Sequence, residues 1–439
     1  NEKDSDATNN FILAGRKVTL PFFVASLVAT WYGNILGIGE FVYRKGLVAW
    51  FCFGIVYYAS AFIYAVFVAT KVRGSLFQSI PEQIGARFGK YSQTISSVVI
   101  LLITFPAVYV LMVGVLFQMF TGLNFIVSVV LGTVISAVYL SIGGFRSNIV
   151  TNSVQFILMY VGFGILLIYS LASVNFDISI VNNLPSSHKQ FFGEESWQYI
   201  FSWFLISLQT FVDPSFYQRC ATAKSPKTAR NGILVSIIFW ILFDSLTIVS
   251  GLIAKVKFPN IEPILAYPVL SDNVLPHILK GIFIVSMLAT IISTMDSYSF
   301  LSGLIIGKEF LAKSRLFRRI SAVNHVRIGI VISCAFSISI AIAIPSAIDI
   351  IYKTSSIVVP ALLIPLVASY TNRAIFTPTQ VNLLMMLSSV ATLFFSILKE
   401  YAKHFSTNFF SFILGFEPMV FGVIFSLFLS LMFLLTPKK

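Results

Sequence analysis

Charged side chains are scarce in this sequence. Of its 439 residues only 11% are Asp, Glu, Lys or Arg, whereas 57% are hydrophobic. Soluble domains carry about 25% charged residues, so this composition excludes an ordinary soluble fold. Apolar runs of about 17–25 residues recur along the chain, each long enough to cross roughly 30 Å of hydrocarbon as a helix. Alternating barrel-type strands are absent, and the sequence therefore predicts an all-α integral membrane protein.

Cysteine and histidine are also few, with three and four residues. Cys52, Cys220 and Cys334 fall in or at the ends of different apolar runs, which predicts neither a disulfide nor a metal site. No spacing of the HExxH, GxSxG or P-loop type occurs, so we expect no enzyme activity. No targeting peptide is visible, and the missing initiator Met suggests that the start of the chain has been removed.

We expect about twelve membrane-spanning helices. They are predicted near 18–42, 47–70, 94–119, 124–141, 150–172, 200–218, 231–254, 277–306, 327–345, 348–370, 379–398 and 408–435. Most of the 30 basic residues fall in alternate connecting segments and the two tails. This bias predicts a multi-pass protein of the cell membrane with both termini cytoplasmic. The net charge of +13 is then mainly a topology signal, and we expect no nucleic-acid partner.

The first predicted span is interrupted by small and polar residues. Gly33, Gly37 and Gly39 lie with Asn34 and Thr30 in the middle of an otherwise apolar run. Glycine weakens a helix, and a broken membrane helix frees carbonyl groups that can bind ions where they line a cavity. The alternative is a small-residue face that packs against another helix.

The eighth predicted span carries a row of hydroxyl groups. Ser286, Thr290, Ser293 and Ser297 are spaced 4, 3 and 4 residues apart and share one helix face, with Thr294 beside them. Several oxygens on one face suit a hard monovalent cation. The alternative is that the hydroxyls bond to the preceding turn or hold helices together.

Five stretches, in order along the chain, resemble motifs of the sodium:solute symporter family. They are "NNFILAGRKVTLPFFVAS", "SIPEQIGARFG", "GGFRSNIVTNSVQ", "DPSFYQRCATAKSPKTA" and "STMDS". The resemblance covers residue 9 to about residue 375, and the last two spans match only in hydropathy.

The resemblance implies a single transmembrane domain over 1–439 with a leucine-transporter-like inverted repeat. Spans one to five (18–172) and six to ten (200–370) would form the two repeats, followed by two accessory helices (379–435). The peripheral helix that precedes the first core helix in the family is missing from this sequence. We expect the monomer to be functional.

The resemblance also implies a sodium site, with Na+ as the bound ion. Leu27, Thr30 and Thr290 would contribute carbonyl oxygens, and Ser293 and Thr294 would contribute hydroxyls. Some relatives hold a second sodium with an Asp in a "TDxxQ" motif. Because this chain has Asn152 there, we expect one sodium per cycle. Proline symporters carry an Asp where this chain has Ala29, which argues against proline.

The residues that the resemblance places in the substrate cavity are Trp31, Asn34, Phe105, Gln209 and Asp213. A buried carboxylate in a membrane is a functional candidate by default, although Asp213 could instead pair with Arg219 or Lys224. If Lys353 also faced the cavity, a zwitterionic or polar solute would fit best. Asp296 is expected to be a structural or gate acid.

Together these features predict a sodium-coupled secondary active symporter. It would import a small polar organic solute, such as an amino acid, a sugar, an acid sugar or a vitamin-like compound, by alternating access. A membrane sensor or a channel built on a transporter-like fold is the alternative.

Overall fold

The computed structural model describes residues 10–317, 319–344, 347–371, 373, 375–402 and 415–435. These residues form helices and no β-strand, apart from an isolated bridge between Val18 and Ala223. The α-helices are α1 Leu20–Trp31, α2 Ile35–Lys45, α3 Val56–Phe67, α4 Ala69–Gly74, α5 Ile80–Phe88, α6 Lys90–Thr104, α7 Ala107–Thr121, α8 Phe125–Ala172, α9 Ser186–Lys189, α10 Trp197–Ile206, α11 Gln209–Val212, α12 Pro214–Thr222, α13 Pro226–Lys257, α14 Ala266–Val274, α15 His277–Ile305, α16 Ala322–Ala343, α17 Ala347–Ser369, α18 Pro378–Ala402 and α19 Pro418–Leu435.

Shorter helical turns connect or extend these helices. Those of 3-10 type are Ala14–Arg16, Tyr32–Asn34, Ile178–Asn183, Pro263–Leu265 and Arg315–Phe317, and those of π type are Trp50–Ile55 and Ile306–Leu311. The π-helical turn Trp50–Ile55 runs directly into α3, and the turn Ile306–Leu311 continues α15.

Helix length and composition confirm an all-α membrane protein. Within the described residues, nine helical segments are long and apolar enough to cross a membrane, and two shorter apolar helices span Phe125–Val138 and Lys353–Ser369. The predicted span 200–218 consists of α10, α11 and the start of α12. The helix is interrupted at Asp213, and α12 begins at Pro214. The total of about twelve crossings stays a prediction, and residues 408–414 of the last predicted span lie outside the described residues.

The first span is interrupted, as the sequence predicts. Between α1 and α2 the residues Tyr32–Asn34 form a turn of 3-10 helix, and Asn34 has a ψ of 34°. A second irregularity lies in α8, which joins two predicted spans across Gly144 at a φ of 61°. A side chain at Gly144 would meet the ring of Phe11, so both the backbone conformation and the close contact require glycine.

Helix α15 lies at the centre of the fold. It packs against α8, α16 and α7, and α1 packs against α8, α13 and α15. Every residue of α15 from Ser293 to its end is buried. The interruption in α1–α2 therefore faces the most buried part of α15.

A short N-terminal segment closes one end of this bundle. The Val18 amide donates to the Thr222 carbonyl at 3.2 Å, and the Lys224 amide donates to the Val18 carbonyl at 2.8 Å. Gln218 Nε2 also donates to the carbonyl of Ile12 at 2.7 Å. These bonds tie residues 12–18 to the end of α12, next to the predicted ion site.

Candidate ion and solute site

The hydroxyl groups of α15 divide into two groups. Ser286 and Thr290 bond back to carbonyls of their own helix, at 2.8 and 2.7 Å. Ser293 and Thr294 instead reach across to α1, where their hydroxyls donate to the carbonyls of Ala29 and Thr30, both at 2.8 Å. Generic bonding to the preceding turn therefore explains Ser286 and Thr290. Ser293 and Thr294 connect α15 to the interrupted helix, as does Ser297, whose Oγ lies 3.1 Å from Thr30 Oγ1.

Five oxygens converge at this crossing point. In addition to the two bonds to α1, the Ser293 hydroxyl lies 2.7 Å from the Thr290 carbonyl. The cluster thus contains the carbonyls of Ala29, Thr30 and Thr290 and the hydroxyls of Ser293 and Thr294. Each of these residues except Ala29 is one that the resemblance implies. Leu27 is also buried in α1, but the carbonyl that Ser293 contacts is that of Ala29, and a ligand role for Leu27 stays a prediction.

The oxygen cluster fits a sodium ion in its chemistry. All five atoms are uncharged oxygens, which suit a hard monovalent cation. A hydroxyl that donates its proton to a carbonyl can still present its lone pairs to a cation. The two helices can approach this closely because position 33 is glycine. A Cβ at Gly33 would overlap the side chain of Thr294.

A second polar cluster lies beside the first and contains a buried cation. Arg219 is 1% exposed and donates to Ser26 Oγ at 3.1 Å, Thr30 Oγ1 at 2.5 Å and Ser297 Oγ at 3.0 Å. Asn152 Nδ2 contacts the same three oxygens at 3.2–3.3 Å. The Arg219 guanidinium and the Asn152 amide therefore share one set of hydroxyls.

A cavity of about 100 Å³ opens beside the interruption. It is lined by Thr30, Trp31, Tyr32, Asn34, Ile38, Phe53, Tyr57, Tyr109, Gln209, Thr210, Asp213, Ser215 and Tyr298. Four of the five predicted substrate residues are among them. Phe105 is not a lining residue of this cavity. It lines an adjoining cavity that shares Tyr109, Gln209 and Tyr298 with the first. Its ring stacks on that of Phe336.

Asp213 is the one charged residue among those lining residues. Its Oδ1 accepts from the Ser215 amide at 2.7 Å and caps α12, and its Oδ2 accepts from the Tyr298 hydroxyl at 2.7 Å. Among the described residues it forms no ion pair, so the alternative of a pair with Arg219 or Lys224 is wrong. Arg219 is instead engaged by the hydroxyl cluster.

Two other acids and one base do not line the cavity. Asp296 is fully buried and accepts from the Ser136 hydroxyl, which agrees with a structural role. Glu40 pairs with Arg44 at 3.0 Å. Lys353 is exposed and is not a lining residue of the cavity, so it is not the basic counterpart of Asp213.

The sequence does not predict most of the aromatic residues that line the cavity. Tyr57, Tyr109 and Tyr298 line the cavity, but in an apolar run a tyrosine gives no signal that separates a cavity from a lipid-facing site. Tyr298 follows the "STMDS" motif directly, and one further residue in the motif would have included it. Ala29 was missed because a carbonyl ligand leaves no mark on the side chain.

A family model described as the sodium:solute symporter family matches residues 11–374. The chain belongs to this family. This chain is 25% identical over 330 residues to a sodium/pantothenate symporter of Haemophilus influenzae. The matched region covers 71% of this chain and 67% of the relative. The chain is also 25% identical over 302 residues to sodium-coupled monocarboxylate transporter 2 of Mus musculus, covering 64% of this chain and 48% of that one.

Solved structures agree with this family assignment in their fold. The symporter resembles a Na+-coupled sialic acid symporter in a substrate-bound outward-open state, with a TM-score of 0.77 at 17% identity, covering 98% of this chain and 93% of that one. It also resembles Mhp1, a nucleobase-cation-symport-1 family transporter in a closed conformation, with a TM-score of 0.55 at 13% identity, covering 97% and 95%. These likenesses confirm the predicted leucine-transporter-like fold, and the family confirms a sodium-coupled transporter rather than an enzyme.

Proposed function

We propose that this symporter imports one small polar organic solute together with one sodium ion by alternating access. It would lie in the cell membrane with both ends of this chain cytoplasmic, as the basic connecting segments indicate. The observation that carries the proposal is the pair of hydroxyls, Ser293 and Thr294, that connect α15 to the carbonyls of the interrupted helix beside a polar cavity. Because ion and solute sites both lie within one chain, we expect the monomer to be functional.

Coupling follows from the position of the interruption. Thr30 contributes a carbonyl to the oxygen cluster and also lines the cavity. Sodium bound between α1 and α15 would hold the two helices together and so fix this wall of the solute cavity. A solute that binds the same conformation then binds more tightly when sodium is present, which is positive linkage between the two sites.

The buried guanidinium supports a stoichiometry of one sodium. Arg219 Nη2 and Asn152 Nδ2 both donate to Thr30 Oγ1 and Ser297 Oγ. A second cation at these hydroxyls would meet a fixed positive charge and no carboxylate from position 152. The guanidinium already occupies the oxygens that a second ion would need, so we propose that Arg219 takes the place of that ion.

One sodium supplies enough energy for uptake. A membrane potential of 100 mV contributes about 2.3 kcal/mol per inward charge, and a tenfold sodium gradient adds about 1.4 kcal/mol. The sum of roughly 3.7 kcal/mol could concentrate a neutral solute about 500-fold.

The cavity favours a solute that donates hydrogen bonds. The carboxyl group of Asp213 faces it, and two further polar atoms in its wall, Asn34 Oδ1 and Thr210 Oγ1, have no partner among the described residues. Unpaired buried polar atoms cost free energy until a ligand satisfies them. Hydroxyl or ammonium groups would satisfy these acceptors, so we propose a sugar-like, amino-acid-like or vitamin-like solute rather than a dicarboxylate.

The test is a panel of solutes scored by sodium-dependent thermal stabilisation and then by uptake into proteoliposomes. The panel contains pantothenate, lactate, sialic acid, neutral amino acids and sugars. For the solute that binds, we expect uptake only with an inward sodium gradient and a sodium dependence with a Hill coefficient near one. Potassium replaces sodium in the control. Uptake that persists in potassium, conductance far above carrier turnover, or hits confined to dicarboxylates would contradict the proposal.

Replacing the cavity carboxylate should separate solute binding from sodium binding. We expect Asp213→Asn to weaken solute binding about tenfold or more, since a hydrogen bond to a charged group contributes about 1.5–3 kcal/mol. Asn caps a helix as well as Asp does, so the break before Pro214 should persist. Sodium titration of the thermal shift without solute should match the wild type.

The matched control is Glu195→Gln, which removes an acid that pairs with Lys45 at 2.5 Å outside the cavity. This variant should bind solute as the wild type does. Equal solute affinity in Asp213→Asn and the wild type would remove Asp213 from the solute site.

A further inference from the structure

Helix α13 contains a buried acid that the ion and solute sites do not use. Asp244 is 3% exposed and lies about 20 Å or more from either end of α13 at 1.5 Å per residue. Among the described residues no basic side chain pairs with it. An unpaired carboxylate at this depth is costly, and acids inside membrane helices are functional candidates by default.

Two tyrosine hydroxyls hold the carboxyl group. Tyr32 Oη lies 2.9 Å from Asp244 Oδ1, and the Tyr58 hydroxyl contacts Oδ2. Tyr32 Oη also lies 2.9 Å from the carbonyl oxygen of Trp240, one turn earlier in α13. The Tyr32 hydroxyl therefore has two acceptors within reach and a single proton to donate.

Counting protons distinguishes the two states of the acid. If Asp244 is ionised, Tyr32 can donate either to the carboxylate or to the Trp240 carbonyl, and one of the two close contacts carries no proton. If Asp244 carries a proton on Oδ1, that proton is donated to Tyr32 Oη, Tyr32 donates to Trp240, and Tyr58 donates to Oδ2. Every contact is then a hydrogen bond.

We propose that Asp244 is a proton-binding site that is occupied at neutral pH. The surroundings agree with this. The other titratable side chains packed around it, Tyr160 from α8 and Tyr267 from α14, donate to main-chain carbonyls at 2.5 and 3.0 Å. No charged group faces Asp244 from any of these elements in the described part of the chain, so nothing there stabilises a carboxylate.

The Asp244 site also contacts one wall of the solute cavity. Tyr32 belongs to the interruption between α1 and α2 and lines the cavity. The preceding residue, Trp31, packs on Trp240 with ring centroids 5.0 Å apart. Loss of the proton would turn the Tyr32 hydroxyl to the carboxylate and release the Trp240 carbonyl. The proton therefore determines which acceptor in α13 holds Tyr32, the Trp240 carbonyl or the Asp244 carboxylate, whichever solute is transported.

Infrared spectroscopy of the purified full-length chain at neutral pH tests the site directly, with the proton as the ligand. We expect the wild type to show the C=O stretching band of a protonated carboxyl group, and Asp244→Asn to lose it. Asn retains one acceptor and one donor at this position, so it mimics the protonated acid. Tyr58→Phe should move the same band to higher wavenumber, because one hydrogen bond to the carboxyl group is removed.

Asp272→Asn is the control, because Asp272 is exposed and pairs with Lys280 at 2.5 Å. Its spectrum should keep the band. Identical carboxyl regions in the wild type and Asp244→Asn would overturn the proposal. If Asp244→Asn does not fold, an unmoved band in Tyr58→Phe would overturn it in the same way. Neither result depends on sodium or solute, so failure here is separate from failure of the proposed transport function.

Discussion

Replacing either of the two α15 hydroxyls that we propose as sodium ligands should raise the sodium concentration needed for half-maximal stabilisation by about 10- to 100-fold. This estimate corresponds to the roughly 1.5–3 kcal/mol of a polar contact to a charged group. The changes are Ser293→Ala and Thr294→Ala, each of which removes one oxygen of the five-oxygen cluster. Thermal unfolding measured against sodium concentration, at constant ionic strength with potassium, provides the affinity.

Two further substitutions in α15 serve as controls for this test. Ser286→Ala removes a hydroxyl that bonds only to the Ile282 carbonyl of its own helix, so it should leave sodium affinity within about twofold of the wild type. Thr294→Ser keeps the oxygen and should restore most of the affinity lost in Thr294→Ala. Unchanged sodium affinity in both Ser293→Ala and Thr294→Ala would show that the ion binds elsewhere.

A single added methyl group at the interruption should weaken sodium binding. Gly33→Ala places a carbon where the Thr294 side chain already lies, so α1 and α15 must separate at the ion site. Overpacking in a dense core costs about 1–3 kcal/mol, and here the cost falls on the carbonyls of Ala29 and Thr30. We expect a fall in sodium affinity of about 5- to 140-fold, measured by the same titration.

The matched control is Gly164→Ala in α8. An added methyl group there meets nothing within 4 Å, and Ala favours a helix over Gly by roughly 1 kcal/mol. This variant should keep wild-type sodium affinity and unfold at the same or a higher temperature. If Gly33→Ala binds sodium as tightly as the wild type, close approach of the two helices is not required for the site.

The sequence predicts the part of the site that depends on side-chain chemistry. The row of hydroxyls at helical spacing that includes Ser293, with Thr294 beside it, and the glycine-rich interruption of the first span can both be recognised without coordinates. Ser286 and Thr290 have the same residue type on the same face, yet their side chains bond to their own helix. Only the position of α1 determines which hydroxyls are shared between helices.

What could not be predicted depends on packing between distant segments. A carbonyl ligand has no residue preference, so the choice between Leu27 and Ala29 requires the rotation of α1 about its axis. Phe105 lies at the break between α6 and α7, four residues before Tyr109, which lines the cavity. The partner of Arg219 could not be read from charge, because this guanidinium bonds to hydroxyls contributed by α1 and α15 rather than to an acid.

The backbone tie between Val18 and the end of α12 limits the cost of opening that end of the bundle. It consists of two main-chain hydrogen bonds, each with a net contribution of about 0.5–1.5 kcal/mol. Breaking both would require roughly 1–3 kcal/mol, less than the roughly 3.7 kcal/mol that one sodium provides at 100 mV and a tenfold gradient. A free energy of this size leaves the tie broken in roughly 1–20% of molecules through thermal motion alone, so the proposed transport cycle need not draw on sodium to open these two bonds.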